Sequence, residues 1–275
     1  HTKKGRKMSE PKFLKPVLLL ISAAFLFVFI ALPIYTIVSE ALKHGLSGYF
    51  GAISDDYALS AVKLSLLCAG FCVVINTVFG VMIAYAAAKF EFRGKTALLT
   101  LLDMPFAVSP VIAGLMFVLL FGNSGFLGKF FSALNFDVIF ALPGILLASA
   151  FVTFPFVAKE TLLLMQEQGN SEEEAAFSLG ASGLRTFFSV TLPNIKWGLF
   201  YGVVLTNARA MGEFGAVAVV SGKIIGLTTT MPLYIEILYS DYLYVAAFSV
   251  ASLLLLLSVV TLALKFLVQK ASKRS

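Results

Sequence analysis

Apolar residues gather into six runs of about 20 residues or more, the length a helix needs to cross a bilayer. They cover Val17–Val38, Leu64–Ala88, Ala97–Phe121, Val138–Ala158, Trp197–Val220 and Leu243–Leu264. Four contain no charged residue, the third contains Asp103, and the fifth contains Arg209 and Glu213. The longest charged interruption separates the fourth run from the fifth, over about residues 167–195. Within it Ser171 to Glu174 fits S-x-x-E, a capping box that starts a helix in water. Ala175, Ala176, Phe177 and Leu179 continue a short helix with small and apolar faces, and Gly180 breaks it. A second short helix is expected from about Gly183, with Pro193 ending the pattern before Trp197. Connections between neighbouring elements usually take only a few residues. An insert of this size therefore reads as a docking element for a soluble partner.

Apolar residues make up 59% of the 275 and charged residues only 13%, more apolar surface than a soluble domain can hide. The expectation is an all-α integral membrane protein of six spans, with a cytoplasmic N-terminus over 1–16, one transmembrane domain over 17–268 and a cytoplasmic tail over 269–275. Basic residues set the orientation. With six spans both termini share a side, and that side holds 16 of the 21 Lys and Arg, against four (Lys43, Lys63, Lys129, Lys223) on the other. Both termini and the 167–195 insert are thus expected in the cytoplasm, and the net charge of +6 reflects this asymmetry without pointing to nucleic acid. The first run is 22 residues long, uncharged and without a convincing cleavage site, which argues against a signal peptide. His1 is not an initiator residue; part of residues 1–7 is expected to derive from a tag, with Met8 as the start. Cys68 and Cys72, the only cysteines, lie in one apolar run and read as buried packing thiols.

Proline and glycine punctuate the spans: Pro105 and Pro110 in the third, Pro143 and Pro155 in the fourth, and Gly198-x-x-x-Gly202 in the fifth, where small residues permit close helix contact. Outside the membrane, Thr230 before Met231-Pro232 predicts an N-cap with proline in the first turn. Tyr234, Tyr239, Tyr242 and Tyr244 are placed for the membrane–water interface.

Enzyme chemistry finds little support. His1 and His44 lie outside every span, and no His/Cys/Asp group has metal-ligand spacing. Gly94-Lys95-Thr96 mimics the end of a phosphate-binding loop, but Lys89 stands where that motif requires glycine. Arg209 and Glu213 are the main intramembrane charges. Each costs about 2.5–3.5 kcal/mol at the centre of a lipid-facing helix, so both must face protein or water. Their four-residue spacing allows mutual neutralisation. Two readings stay open: a structural ion pair, or a permanent positive charge at Arg209 beside the path of an oxyanion. Asp103 is either a helix-packing acceptor or a partner for Arg209.

The insert resembles the signature of permease subunits in bacterial ATP-binding-cassette importers: Glu-Ala-Ala, three residues, Gly, nine residues, an aliphatic residue, one residue, Leu-Pro. Glu174, Ala175, Ala176, Gly180, Val190, Leu192 and Pro193 match it at every step, with Val where Ile is commoner. Ala208 to Ala216 (Ala-Arg-Ala-Met-Gly-Glu-Phe-Gly-Ala) resembles the fifth-span signature of sulfate, molybdate and tungstate permeases. Val219 to Lys223, Thr228 to Leu233, Glu236 to Tyr239, and Asp103 to Val111 look more like the sulfate/thiosulfate branch, in its CysW-type subunit. The resemblance implies a type I importer permease fold, a homologous CysT-type partner, two ATPase subunits, and an external sulfate-binding protein. It implies that Glu174, Ala175, Ala176, Phe177, Leu179, Gly180, Val190, Leu192 and Pro193 dock one ATPase, and that Arg209, Glu213, Asp103 and Ser109 lie near the path. No cofactor is expected on this chain; ATP and Mg belong to the partner ATPase. A molybdate or tungstate permease and, more distantly, a proton-coupled secondary transporter are the rival readings.

Overall fold

A computed structural model describes residues 13–272, which form helices with no strand among them. The expectations for Met8 and for the terminal basic residues outside that range lie outside the described residues. The chain opens with α1 (Leu14–Leu26), which runs through a π turn (Phe27–Ala31) into α2 (Leu32–Ala41). At this turn the Leu32 amide donates to the carbonyl of Phe27, five residues back, just ahead of Pro33. A proline has no amide to give and crowds the preceding turn, so a widened turn accommodates it without breaking the helix.

The same device recurs in the polar insert. There α10 (Gly183–Thr186) follows α9 (Ser171–Ser178) and passes through a second π turn (Phe187–Thr191) into α11 (Leu192–Met211). The Leu192 amide donates to Phe187, again one residue before a proline. Pro193 therefore sits in the first turn of α11 and does not end the helix, contrary to the sequence reading.

Three helices meet at the centre: α4 (Asp56–Lys89), α8 (Leu142–Gln168) and α11. Asp55 starts α4 by accepting the amides of Tyr57 and Ala58 at 3.0 and 3.3 Å. Glycines let the backbones approach. A Cβ on Gly80 of α4 would stand 3.1 Å from the Ala158 nitrogen of α8, and one on Gly202 of α11 would stand 2.9 Å from the Val157 Cα. Both glycines thus press on one turn of α8, as the Gly198–Gly202 spacing predicts for α11. Fully buried Asn76 adds a polar tie from α4 to α8, donating to the Ala150 carbonyl at 3.2 Å and to the Thr153 hydroxyl at 2.8 Å. Cys68 and Cys72 are free and buried on α4.

Around this core run α3 (Gly45–Ile53), α5 (Lys95–Ala107), α6 (Pro110–Phe121), α7 (Gly128–Ala133), α12 (Gly215–Val220), α13 (Met231–Ser240) and α14 (Tyr244–Ser272). Thr230 occupies the N-cap position of α13 as expected, but the Met231 amide is satisfied by Ser65 Oγ of α4 at 2.8 Å. Tyr234 departs from the interfacial expectation: it is buried, with its hydroxyl 3.2 Å from Asp55 Oδ2, while Tyr239, Tyr242 and Tyr244 remain exposed.

Among the described residues, four helical stretches are long and apolar enough to cross a membrane: Leu14–Ala41, Asp56–Lys89, Leu142–Gln168 and Tyr244–Phe266. A fifth is formed only if α5 and α6 count together, because they meet at 111°. The run Ala97–Phe121, expected as one span, is broken where Val108 and Ser109 turn extended. Ser109 precedes Pro110, and the residue before a proline avoids helical geometry. Trp197–Val220 is broken as well: α11 ends at Met211, and α12 begins at Gly215. The two breaks face each other, since a Cβ on Gly215 would lie 3.0 Å from Pro110 Cβ.

Replacing Gly202 by Leu should force α11 away from the α8 backbone and cost about 1–3 kcal/mol. Gly70, also on α4, has nothing within 4 Å of its missing Cβ, so Gly70→Ala should be neutral or stabilising by about 0.4–1 kcal/mol. Thermal unfolding in detergent, read from Trp197, the only tryptophan, should show a fall of several degrees for Gly202→Leu alone.

Candidate functional site

The polar insert is a hairpin of short helices whose joints are glycines. Gly169 (φ 70°) ends α8, and Gly180 (φ 85°) ends α9, both in the backbone region where only glycine is at ease. The expected capping box does not form. Ser171 is the first helical residue, Asn170 holds the cap position without a side-chain bond to the helix, and the Glu174 amide donates to the Asn170 carbonyl at 2.9 Å. The Asn170 side chain is engaged elsewhere: its Oδ1 accepts from Lys89 Nζ at 3.1 Å.

Lys89, the last residue of α4, reaches under the hairpin. Its ammonium also donates to the Gly169 carbonyl at 2.6 Å and pairs with Glu173 Oε1 at 2.8 Å. The Thr191 hydroxyl, in the π turn, donates to that same oxygen at 3.1 Å. The two charged side chains are 7% and 9% exposed. Burial pushes the Glu173 carboxyl upward, but bonds from Lys89, its own backbone and Thr191 outweigh that and hold it below the ordinary carboxylate range. A lowered carboxyl keeps this tie fully charged above the ordinary range; it weakens only as pH falls through the lowered value. Glu172 makes a separate bond to the Asn194 amide in α11.

Two of the three consecutive glutamates thus bond within the chain, Glu173 buried and Glu172 at the surface. Glu174 stays exposed, with its side chain free of any hydrogen bond or ion pair among the described residues. Around it Ala175, Phe177, Leu179 and Gly180 are exposed, with Ala176 half-buried. Leu184 and Phe188 are exposed beside them, and Leu179 is 89% exposed. Val190 and Leu192 are half-buried, and Pro193 is exposed. Leu192 packs onto the inner end of the core beside Ile195 and Met165. The hairpin thus presents a cluster of exposed apolar side chains on an otherwise polar segment.

Arg209 and Glu213 do pair, at 2.6 Å, with the carboxylate 1% exposed and the guanidinium 35% exposed. Glu213 Oε1 also accepts the Ala216 amide at 2.9 Å and so caps α12. The carboxylate therefore helps make the break that the hydropathy pattern conceals. Asp103 is not a partner of Arg209. It pairs with Lys159 of α8 at 2.5 Å, and Lys159 stands 5.0 Å over the Phe106 ring. Ser109 is exposed at the α5–α6 bend, next to Pro110, where that bend meets the break after Glu213. From sequence, Lys89 figures only as a mismatch to the phosphate-binding motif, and Thr191, Asn194 and the bonding roles of Glu172 and Glu173 do not stand out. The only signal was a lysine closing a long apolar run, a charge that must find a partner if it is buried.

Residues 76–274 match the family model described as the binding-protein-dependent transport system inner membrane component. A sulfate transport system permease protein CysW from Synechocystis is 47% identical over 94% of this chain and 95% of its own length. The Escherichia coli CysW is 47% identical over 94% of this chain and 87% of its own. The E. coli CysT is 34% identical over 89% and 91%. Among solved structures, a chain of a bacterial alginate ABC transporter in complex with an alginate pentasaccharide-bound periplasmic protein superposes with a TM-score of 0.78. It covers 95% of this chain and 94% of that one, at 16% identity, a likeness of fold alone. A helical bundle with this hairpin, matched to CysW relatives along nearly its whole length, belongs to the family of binding-protein-dependent transport system inner membrane components, as a permease of the CysW type.

Proposed function

We propose that the chain is a permease subunit of an ATP-driven importer for sulfate, and that the exposed face of its hairpin is the handle through which an ATPase moves it. The observation that carries the substrate is the 45–47% identity to proteins named as sulfate permeases, sustained over 94% or more of the chain. The chain is an integral membrane protein and not itself an enzyme; its relatives carry permease names. Similarity to both CysW and CysT proteins supports a second, homologous permease as partner. The fold shared with a transporter solved with its periplasmic protein supports delivery by an external binding protein.

The finer reading has six crossings, with α11–α12 and α5–α6 each serving as one bent span, and with both termini and the hairpin in the cytoplasm. Two copies of the ATPase bind ATP and Mg beneath the paired permeases. Glu174, Ala175, Ala176, Phe177, Leu179 and Gly180 face one of them, while Val190, Leu192 and Pro193 set the return into the membrane. Closure of the ATPase dimer draws the docked hairpins together and opens the cavity outward; hydrolysis reverses this. ATP and loaded binding protein bias the two states only through differential affinity. The third and fifth spans line the path, and the part-exposed Arg209 offers its fixed charge to the passing oxyanion, held by Glu213. Ser109 and the Asp103–Lys159 pair border the same bend.

Sulfate uptake by the reconstituted complex tests the reading directly. Labelled sulfate should enter only with ATP, and excess molybdate should compete weakly. Uptake driven by a pH gradient without ATP would reject it; strong competition would move the substrate to molybdate. Glu174→Lys should leave the protein in the membrane and reduce ATPase co-purification, whereas an undiminished yield would remove Glu174 from the docking face. Arg209→Gln should lower yield, because an unpaired buried carboxylate costs about 3–5 kcal/mol. The Arg209→Gln/Glu213→Gln pair should recover yield while transport stays low. Recovery of both would make the pair structural only.

A further inference from the structure

On the reading of the hairpin as the ATPase handle, we propose that Lys89 is a positioning residue, and that the Lys89–Glu173–Thr191 cluster is the link that carries hairpin motion into the transmembrane core. A handle transmits movement only if it is stiff, and the backbone alone does not make this one stiff. Its short helix α9 hangs between Gly169 and Gly180, both at positive φ, with nothing within 4 Å of either missing Cβ. Such joints pivot readily.

Stiffness comes from side chains. Lys89 spends its donors on three groups: the Gly169 carbonyl at one glycine joint, the Asn170 side chain, and the Glu173 carboxylate one turn into α9. An ammonium has three donors, so its capacity is filled. Glu173 in turn is bonded by Thr191, in the π turn that feeds α11. One buried cluster therefore joins the end of α4, the hairpin and the start of α11, and α4 and α11 both press on α8 through Gly80 and Gly202. Displacement of α9 in this arrangement pulls on α4 and α11 together. The bond from Glu172 to Asn194 ties α9 to α11 only. Removing the lysine thus takes away the charged link from α4 to α9, while leaving the Tyr85–Phe187 ring contact at 5.3 Å, the exposed Glu174 face and the other tie intact.

The test uses the whole importer in proteoliposomes, with ATPase retention, ATP hydrolysis and sulfate uptake measured on the same preparation. Lys89→Met/Glu173→Gln removes both charges, so no lone buried ion remains. It should retain the ATPase and hydrolyse ATP near the wild-type rate. Sulfate moved per ATP should fall about five-fold or more. Lys89→Arg, which keeps charge and donors, should preserve most of that ratio. An unchanged ratio in the double variant overturns the proposal. Loss of ATPase retention in that variant overturns it too, since the cluster would then shape the docking face and not transmit motion. A wild-type complex that retains no ATPase would instead remove the handle reading itself.

Discussion

Among the described residues the most enclosed charges are each met by another charge on the same chain, and much of the architecture follows from that requirement. Glu213 is almost wholly enclosed and is answered by Arg209 one turn away. Lys89 and Glu173 are enclosed together beneath the hairpin. Asp103, within an apolar run, meets Lys159 of a neighbouring helix in a pair that is about half exposed. A lone ion enclosed like Glu213 or Glu173 would cost several kcal/mol, so the enclosed pairs fix which segments must be adjacent. Two of the three pairs join elements far apart in sequence: α4 to α9, and α5 to α8. They act as staples between segments whose apolar faces alone would tolerate several arrangements.

Backbone groups obey the same requirement, and this accounts for the irregular helices. Both π turns stand immediately before Leu-Pro, at Leu32-Pro33 and Leu192-Pro193, with a five-residue hydrogen bond to the leucine amide. Where a proline is instead preceded by an extended residue, as at Ser109-Pro110, the helix breaks and turns through 111°. Where a carboxylate captures a helix amide, as Glu213 does at Ala216, the next helix begins at that point. At these three prolines the outcome follows whether the turn before widens or opens; Pro105 and Pro155 lie inside α5 and α8 with neither change.

The apolar runs, the hairpin and its two short helices were legible in the sequence because period and composition are local properties. So was the Arg209–Glu213 pair, whose partners are four residues apart on one face. Continuity of the third and fifth runs was misjudged because hydropathy counts side chains and ignores backbone geometry; Val108 and Ser109 look as apolar or neutral as their neighbours. The sequence leaves Asp103 as a helix-packing acceptor or a partner for Arg209; the residue it pairs with lies 56 positions away, beyond any periodicity. The capping box failed for a similar reason. Ser171 and Glu174 have the right spacing, but the Asn170 side chain ahead of them is claimed by Lys89, whose position next to the hairpin only the tertiary fold determines.

These placements divide the molecule into stiff and compliant parts. Glycine contacts lock α4, α8 and α11 backbone to backbone, and closely packed interiors move as units. Compliance is left at the Val108–Ser109 bend and the Gly212–Phe214 break, which touch through Pro110 and Gly215. At 1.5 Å per residue, α11 carries the chain roughly 30 Å from the hairpin to that break. A rigid arm held by a charged bracket at one end and released by two adjoining breaks at the other is suited to rocking. On the proposed handle reading, small displacement at the hairpin would become rearrangement beside Arg209, because packed helices shift between discrete arrangements and do not deform smoothly.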